Sequence, residues 1–223
     1  MEGSPVSTAE SSGPAQPGET NRRAEFLRAA HQVLENKGFR GLTLRAIARE
    51  SGVTAPALYR HFEDLDGLIA ELTKQTWAEL AAAMSSAGAQ SSSEGPLREL
   101  EAQLDAYVAF ATSHPTNYEL LFARQPLGGY IQGSTTPTLP VYVVLERSVM
   151  KCREAGYRFT FELPGIVDMP AGVDGAAILL FVLAHGRVAL AAASNIESFD
   201  DPGSSRAFIR AFLREAVEEP ESS

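Results

Sequence analysis

The residues that could do chemistry are gathered between Leu42 and Phe62, in the run LTLRAIARESGVTAPALYRHF. Ile47 and Ala48 are spaced to face inward from one short helix, and Val53 and Leu58 to close the angle with a second. Ala48 is small where the second helix must cross it. Gly52 sits where the chain must reverse, and glycine takes the left-handed backbone of such a turn at little cost. The spacing predicts a helix-turn-helix, whose second helix lies in the major groove of duplex DNA. An ordinary helical hairpin inside an all-α core is the plainer alternative. Ala55, Pro56 and Ala57 open the second helix; they are short and apolar, so the backbone can approach the groove and their carbons can meet thymine methyls. Arg45, on the outer side of the first helix, has the fork that bonds a guanine edge bidentately; otherwise it is a solvated surface charge.

The formal net charge is −9, which looks wrong for a DNA binder until it is divided. Between Arg22 and Phe62, eight basic side chains stand against three acidic ones, a net of +5 that leaves −14 for the remainder. Salt screens charges beyond ~8–10 Å, so phosphate binding depends on the local field. Catalysis finds no support. The four histidines, His31, His61, His114 and His185, have no metal-ligand spacing. No glycine-rich phosphate loop, serine elbow or Cys/His pairing is visible, so no metal and no cofactor is expected. Cys152 is the single cysteine; it cannot form an internal disulfide, suits a reducing cytoplasm and reads as a small buried side chain. The start, Met1-Glu2-Gly3-Ser4, lacks the basic-then-apolar pattern of a secretory leader, so a cytoplasmic protein is expected.

The elements that would position these residues are helical throughout. Residues 1–20, rich in Ser, Gly, Pro and Glu, read as a disordered arm. A first helix is expected from about Asn21 to Lys37, with Phe26, Leu27, Ala30, Val33 and Leu34 on one face. Thr43 and Thr54 would cap the second and third helices with their hydroxyls, and Asp64 a fourth that buries Leu65, Leu68, Ile69, Leu72, Leu80 and Met84. The run from Ser85 to Gly95 reads as a flexible connection. Then follow helices at about Pro96–Ser113, Asn117–Ala123 and Pro137–Ala155, with a loop from Arg124 to Thr136. Gly156–Val173 alternates like a strand but has no evident partner, so an irregular loop is expected. An eighth helix, Asp174–Ile196, is apolar on several sides. His185 and Arg187 at its centre argue for burial in protein, not in a membrane. A ninth, Ser205–Glu218, carries Phe208, Ile209, Phe212, Leu213 and Ala216 on one stripe. The domain reading is an arm (1–20), a helix-turn-helix domain (21–66), a ligand-binding and dimerisation domain (67–218) and a disordered tail (219–223).

Over Arg22 to Trp77 the chain resembles the tetracycline-repressor (TetR) family of bacterial regulators. The residues that carry the resemblance are Ala29-Ala30, Gly38, Leu42-Thr43, Ile47-Ala48, Gly52-Val53, Leu58-Tyr59, His61-Phe62 and Leu68. His185-Gly186 and the stretch HPTNYELLF from His114 to Phe122 resemble a subgroup with a Trp-His-Gly signature, although Ala184 stands where its tryptophan would be. The resemblance implies that Thr43, Tyr59 and His61 hydrogen-bond phosphates. The alternatives are a packing aromatic for Tyr59 and a capping histidine for His61. Thr54 at the mouth of the third helix and Arg60 at its end complete the DNA-facing set. Family members commonly have a lysine at the start of the fourth helix; here Leu65 stands there among Glu63, Asp64 and Asp66, a departure that weakens the expected grip. Arg22 and Arg23 are expected to compensate.

The resemblance further implies a homodimer through the eighth and ninth helices, a palindromic DNA site, and a small-molecule effector bound in the C-terminal domain. Candidate pocket residues are Tyr107, Phe110, Tyr118, Phe122, Tyr142, Met150, Phe181 and His185, each of which could equally be core. The expected function is a ligand-responsive, repressor-type transcriptional regulator. A helical ligand-binding or interaction protein without DNA binding is the alternative, and an enzyme the more distant one.

Overall fold

The computed structural model describes residues 17–122, 139–161, 174–193 and 202–220. Among these residues nine α-helices and one two-stranded ribbon are present. The chain divides into two compact units, Met1–Leu68 and Ile69–Ser223.

In the first unit, helix α1 runs from Pro17 to Lys37. It starts ahead of the expected Asn21, so residues 17–20 belong to a helix and not to the arm. Proline suits a first helical position, because its φ is already helical and it has no N–H to strand. Phe26, Leu27, Ala30, Val33 and Leu34 are buried and pack α1 on α2 (Leu44–Glu50). Helix α3 is the short segment Ala55–Tyr59. Between α2 and α3 the backbone closes with two hydrogen bonds, Val53 N to Ala48 O at 2.9 Å and Gly52 N to Arg49 O at 3.2 Å. Gly52 holds φ 69°. This pairing satisfies the last carbonyls of α2 and needs a left-handed residue at the glycine.

Helix α4 spans Leu65–Ser91. It begins on Asp64, whose carboxylate accepts from Gly67 N at 2.7 Å. The expected flexible connection at Ser85–Gly95 is instead mostly helical: α4 continues to Ser91 and a 3₁₀ turn covers Ser92–Glu94. The small residues there serve packing. A Cβ on Gly88 would lie 2.5 Å from Gln103 Nε2, so glycine is what lets α5 (Pro96–Ser113) come close.

The second unit adds α6 (Pro115–Phe122), α7 (Leu139–Glu154), α8 (Gly175–Ala193) and α9 (Pro202–Ala216). Trp77, Leu80, Met84, Leu104, Tyr107, Leu145, Leu180 and Leu213 are among the side chains of its core. Lys151 on α7 donates to Glu99 on α5 at 2.7 Å, and Arg210 on α9 pairs with Asp105 on α5. The expectation of a loop without a strand partner fails. Strand β1 (Arg158–Phe159) pairs antiparallel with β2 (Val217–Glu218), Arg158 opposite Glu218 and Phe159 opposite Val217. The alternation was a true strand signal; its partner lay in residues expected to be the end of the ninth helix, which stops at Ala216. Thr160 caps that end, its N–H and its hydroxyl both donating to Ala216 O, at 3.0 and 3.1 Å. The expected loop at 124–136, most of 156–173 and the end of the eighth helix lie outside the described residues.

Met150, a candidate pocket residue, is instead 51% exposed. Its neighbour Val149 is fully buried. Successive helical residues point about 100° apart, so such neighbours diverge.

Candidate functional site

The geometry of α2 and α3 separates an inner row from an outer one. Ile47, Ala48 and Leu58 are buried, while Arg45, Thr54, Pro56, Tyr59 and Arg60 are exposed and Ala55, Ala57 and His61 are half-buried. Tyr59 is 55% exposed although Leu58 beside it is fully buried. An aromatic ring held out on a five-residue helix does not serve the core. Its outer neighbours supply two guanidinium groups, a hydroxyl and three short apolar side chains, the mixture that phosphates and base edges require.

Local bonding fixes this surface. Thr43 caps α2 by accepting from Ala46 N at 3.1 Å. Thr54 occupies the corresponding position before α3 but makes no side-chain capping bond, contrary to expectation. The reason is Pro56, which has no N–H to offer, while Ala57 N bonds the Thr54 carbonyl at 3.0 Å. His61 is not a capping histidine; its ring packs on Phe26 with centroids 5.3 Å apart. Arg23, expected to help at phosphates, is held within the unit. Its guanidinium donates to His61 O at 2.6 Å and lies 4.3 Å from the Phe62 ring centroid, clamping the residues that follow α3 to α1. Arg22 pairs with Glu25 at 3.3 Å. The sequence carried no signal of the Arg23 clamp, because its partners lie 38 and 39 positions downstream. Glu63, Asp64 and Asp66 are exposed just beyond α3.

In the second unit, five of the eight candidate pocket residues meet. Tyr107 and Tyr118 hydroxyls lie 2.9 Å apart, and the Tyr118 hydroxyl lies 2.6 Å from His185 Nδ1. Phe122 and Phe181 flank the His185 ring, with centroids 4.0 and 6.2 Å away. Trp77 joins them, 5.5 Å from Phe122 and 6.3 Å from Phe181. It was missed, although its offset from Leu80 and Met84 on α4 puts it on the same inward face. Burial pushes the Tyr118 phenol up and the His185 imidazole down, so both are neutral near pH 7. The other three candidates sit elsewhere: Phe110 packs on His114 with tilted rings, Tyr142 donates to Glu146, and Met150 is exposed. No cluster of metal ligands occurs among the described residues.

The last two long helices leave apolar groups outside. Val182 and Leu190 on α8 are 53% and 59% exposed. Phe208 on α9 lies beneath the Arg187 guanidinium, 5.9 Å from its centroid. Arg187 also donates to Ser204 Oγ at 3.1 Å, joining α8 to α9. By length and composition α8 could cross a membrane, with mean hydropathy 2.0. Its inner face, Ala176, Ala177, Leu180, Ala184 and Val188, is buried in this helical core.

Comparison with known proteins agrees with this arrangement. Residues 26–72 match the model of bacterial regulatory proteins, tetR family, and residues 100–221 match the tetracyclin repressor-like C-terminal domain. An uncharacterized HTH-type transcriptional regulator of Haemophilus influenzae is 31% identical over 103 residues, 46% of this chain and 49% of that one. A second, from Mycobacterium tuberculosis, is 26% identical over 147 residues, 64% of this chain and 65% of that one. The chain thus spans about half of the first relative's length and 65% of the second's. Among solved structures, a TetR-family transcriptional regulator from Pectobacterium atrosepticum superposes with a TM-score of 0.68 at 18% identity, covering 93% of this chain and all of that one. None of these matches names the Trp-His-Gly subgroup. With the C-terminal match alone covering more than half of its length, the chain belongs to the tetR family of bacterial regulatory proteins.

Proposed function

We propose that this chain is a homodimeric repressor that binds a palindromic DNA site and releases it when a small molecule enters the C-terminal unit. The observation that carries the reading is the outward row of α2 and α3, with Tyr59 held in solvent beside a buried Leu58. Arg45 reads a guanine, Ala55, Pro56 and Ala57 approach the groove floor, and Thr43, Thr54, Tyr59, Arg60 and His61 fix register on phosphates. The Thr54 hydroxyl, left without a capping bond, supports its part. A palindrome requires two-fold symmetry. The exposed Val182, Leu190 and Phe208 on α8 and α9 support pairing of those two helices with their counterparts in a second copy. The effector sits at the aromatic group of Trp77, Tyr107, Tyr118, Phe122, Phe181 and His185. Helix α4 belongs to both units and is the element through which effector binding alters the spacing of two recognition helices, which half-sites ~34 Å apart tolerate poorly. Such a protein works in the cytoplasm and performs no catalysis.

The test is selection from random-sequence DNA followed by gel-shift titration at several salt concentrations. A selected palindrome, with affinity falling steeply as salt rises, supports the reading. Arg45→Ala should then relax specificity at one base pair by ~1–3 kcal/mol. The exposed Glu63, Asp64 and Asp66 favour a second reading, a helical interaction protein without DNA binding. Failure to enrich any sequence, at low salt as well as high, would decide for it.

A further inference from the structure

Resting on the reading of the aromatic group as an effector site, we infer that His185 presents its Nε2–H there as a hydrogen-bond donor, so the site selects a planar apolar molecule bearing an acceptor oxygen, such as a carbonyl or carboxylate, over an ammonium. The argument begins with the direction of the hydrogen bonds. The Tyr118 hydroxyl and His185 Nδ1 are 2.6 Å apart. N–H donors usually lie ~2.7–3.2 Å from their acceptors and hydroxyl donors come closer, about 2.5–3.0 Å. Imidazole nitrogen is also a far better acceptor than a phenol oxygen. Tyr118 therefore donates and Nδ1 accepts. Its own oxygen then accepts from Tyr107, 2.9 Å away. Burial keeps Tyr118 protonated and His185 neutral, which preserves this order. A neutral imidazole that accepts at Nδ1 must carry its proton on Nε2.

That nitrogen finds no hydrogen-bond partner among the described residues. It is also not sealed in the core as Trp77 Nε1 and Asn117 Oδ1 are, and His185 as a whole is half-buried. An open N–H beside the Phe122 and Phe181 rings has one chemical preference. It bonds an acceptor on a molecule whose apolar body packs against those rings. The group of Trp77, Tyr107, Tyr118, Phe122, Phe181 and His185 contains no carboxylate to pair with a cation. The polarised Tyr107–Tyr118–His185 chain strengthens the terminal donor.

Three shape-matched probes test this on the full chain: 2-acetylnaphthalene, 2-isopropylnaphthalene and 1-(2-naphthyl)ethylamine. Trp77 is the single tryptophan and touches the site, so its fluorescence reports occupancy. The acetyl probe should bind roughly three- to tenfold more tightly than the isopropyl one, the increment of one hydrogen bond, and the amine weakest. His185→Phe should erase that preference while retaining isopropylnaphthalene binding. Tyr118→Phe, a milder change that keeps the imidazole, should reduce it by freeing the tautomer. Long-range ¹H–¹⁵N spectra of the unliganded chain should find the His185 proton on Nε2. A proton on Nδ1, or equal affinity for all three probes, overturns the inference and leaves the effector-site reading standing. Binding of none of them removes that reading, and the inference with it.

Discussion

Arg23→Ala discriminates between two roles for a cation beside the recognition helix. The guanidinium donates to His61 O at 2.6 Å and lies 4.3 Å from the Phe62 centroid. A charged hydrogen bond is worth about 1.5–3 kcal/mol and a part-exposed cation–π contact about 0.5–1 kcal/mol. The group is only partly buried, and water recovers much of this after truncation, so about 1–2 kcal/mol is the expected loss. Thermal unfolding should show Tm lower by several degrees. Arg22→Ala, which removes only an exposed pair with Glu25, should cost about 0–1 kcal/mol. DNA titration at graded salt supplies the second readout. A phosphate contact contributes about −0.9 to the slope of log K against log salt. Arg23→Ala should weaken binding, because the residues that follow α3 are no longer held, yet leave that slope unchanged. A slope reduced by about one with Tm intact would show Arg23 gripping phosphate and refute the clamp.

Gly52→Ala should cost about 1–2 kcal/mol in thermal unfolding, all of it from φ 69°, since a Cβ there meets nothing within 4 Å; Gly52→Asn, which tolerates that conformation, should cost less. Gly88→Ala should destabilise by about 1–3 kcal/mol through overlap with Gln103, yet stabilise in a Gln103→Ala background, where helix propensity decides; a double-mutant cycle measures the sign change. His185 has a folded pKa below its ordinary 6.5 because burial opposes its charge. The unfolded chain therefore binds the extra proton first, and stability present above pH 6.5 is lost as pH falls below it; wild type should lose more between pH 7 and 5 than His185→Phe in denaturant titrations. Burial pushes the Cys152 thiol up to about 12, so alkylation of native chain by iodoacetamide at pH 8 should be slow and should accelerate on unfolding.

The helix-turn-helix was readable because its determinants are local. Gly52, Ala48 and the Thr43 cap act within a few residues of where they stand, and so does the alternation of buried and exposed side chains around Leu58. What escaped reading was set by distant partners. Arg23 looked like a surface cation until His61 and Phe62 came round to meet it. The Ser/Gly run after Met84 has the composition of a linker, and only the approach of Gln103 explains why it is a helix with a glycine in it. The strand at Arg158 was legible as a pattern and illegible as a pair, since two residues at the end of a helix give no strand signal of their own. For the aromatic group, residue types were legible but their gathering was not. Periodicity assigns a side chain to a face and leaves open which neighbour that face will meet, so Tyr142 and Met150 looked as suitable as Tyr118.

The ribbon that joins Arg158–Phe159 to Val217–Glu218 makes the carboxyl end of this chain a fastened seam. Anything fused downstream of Pro220 would hang from that seam and leave α9 unfrayed. Trimming back to Ala216 would unpick it and expose Phe159 in one cut.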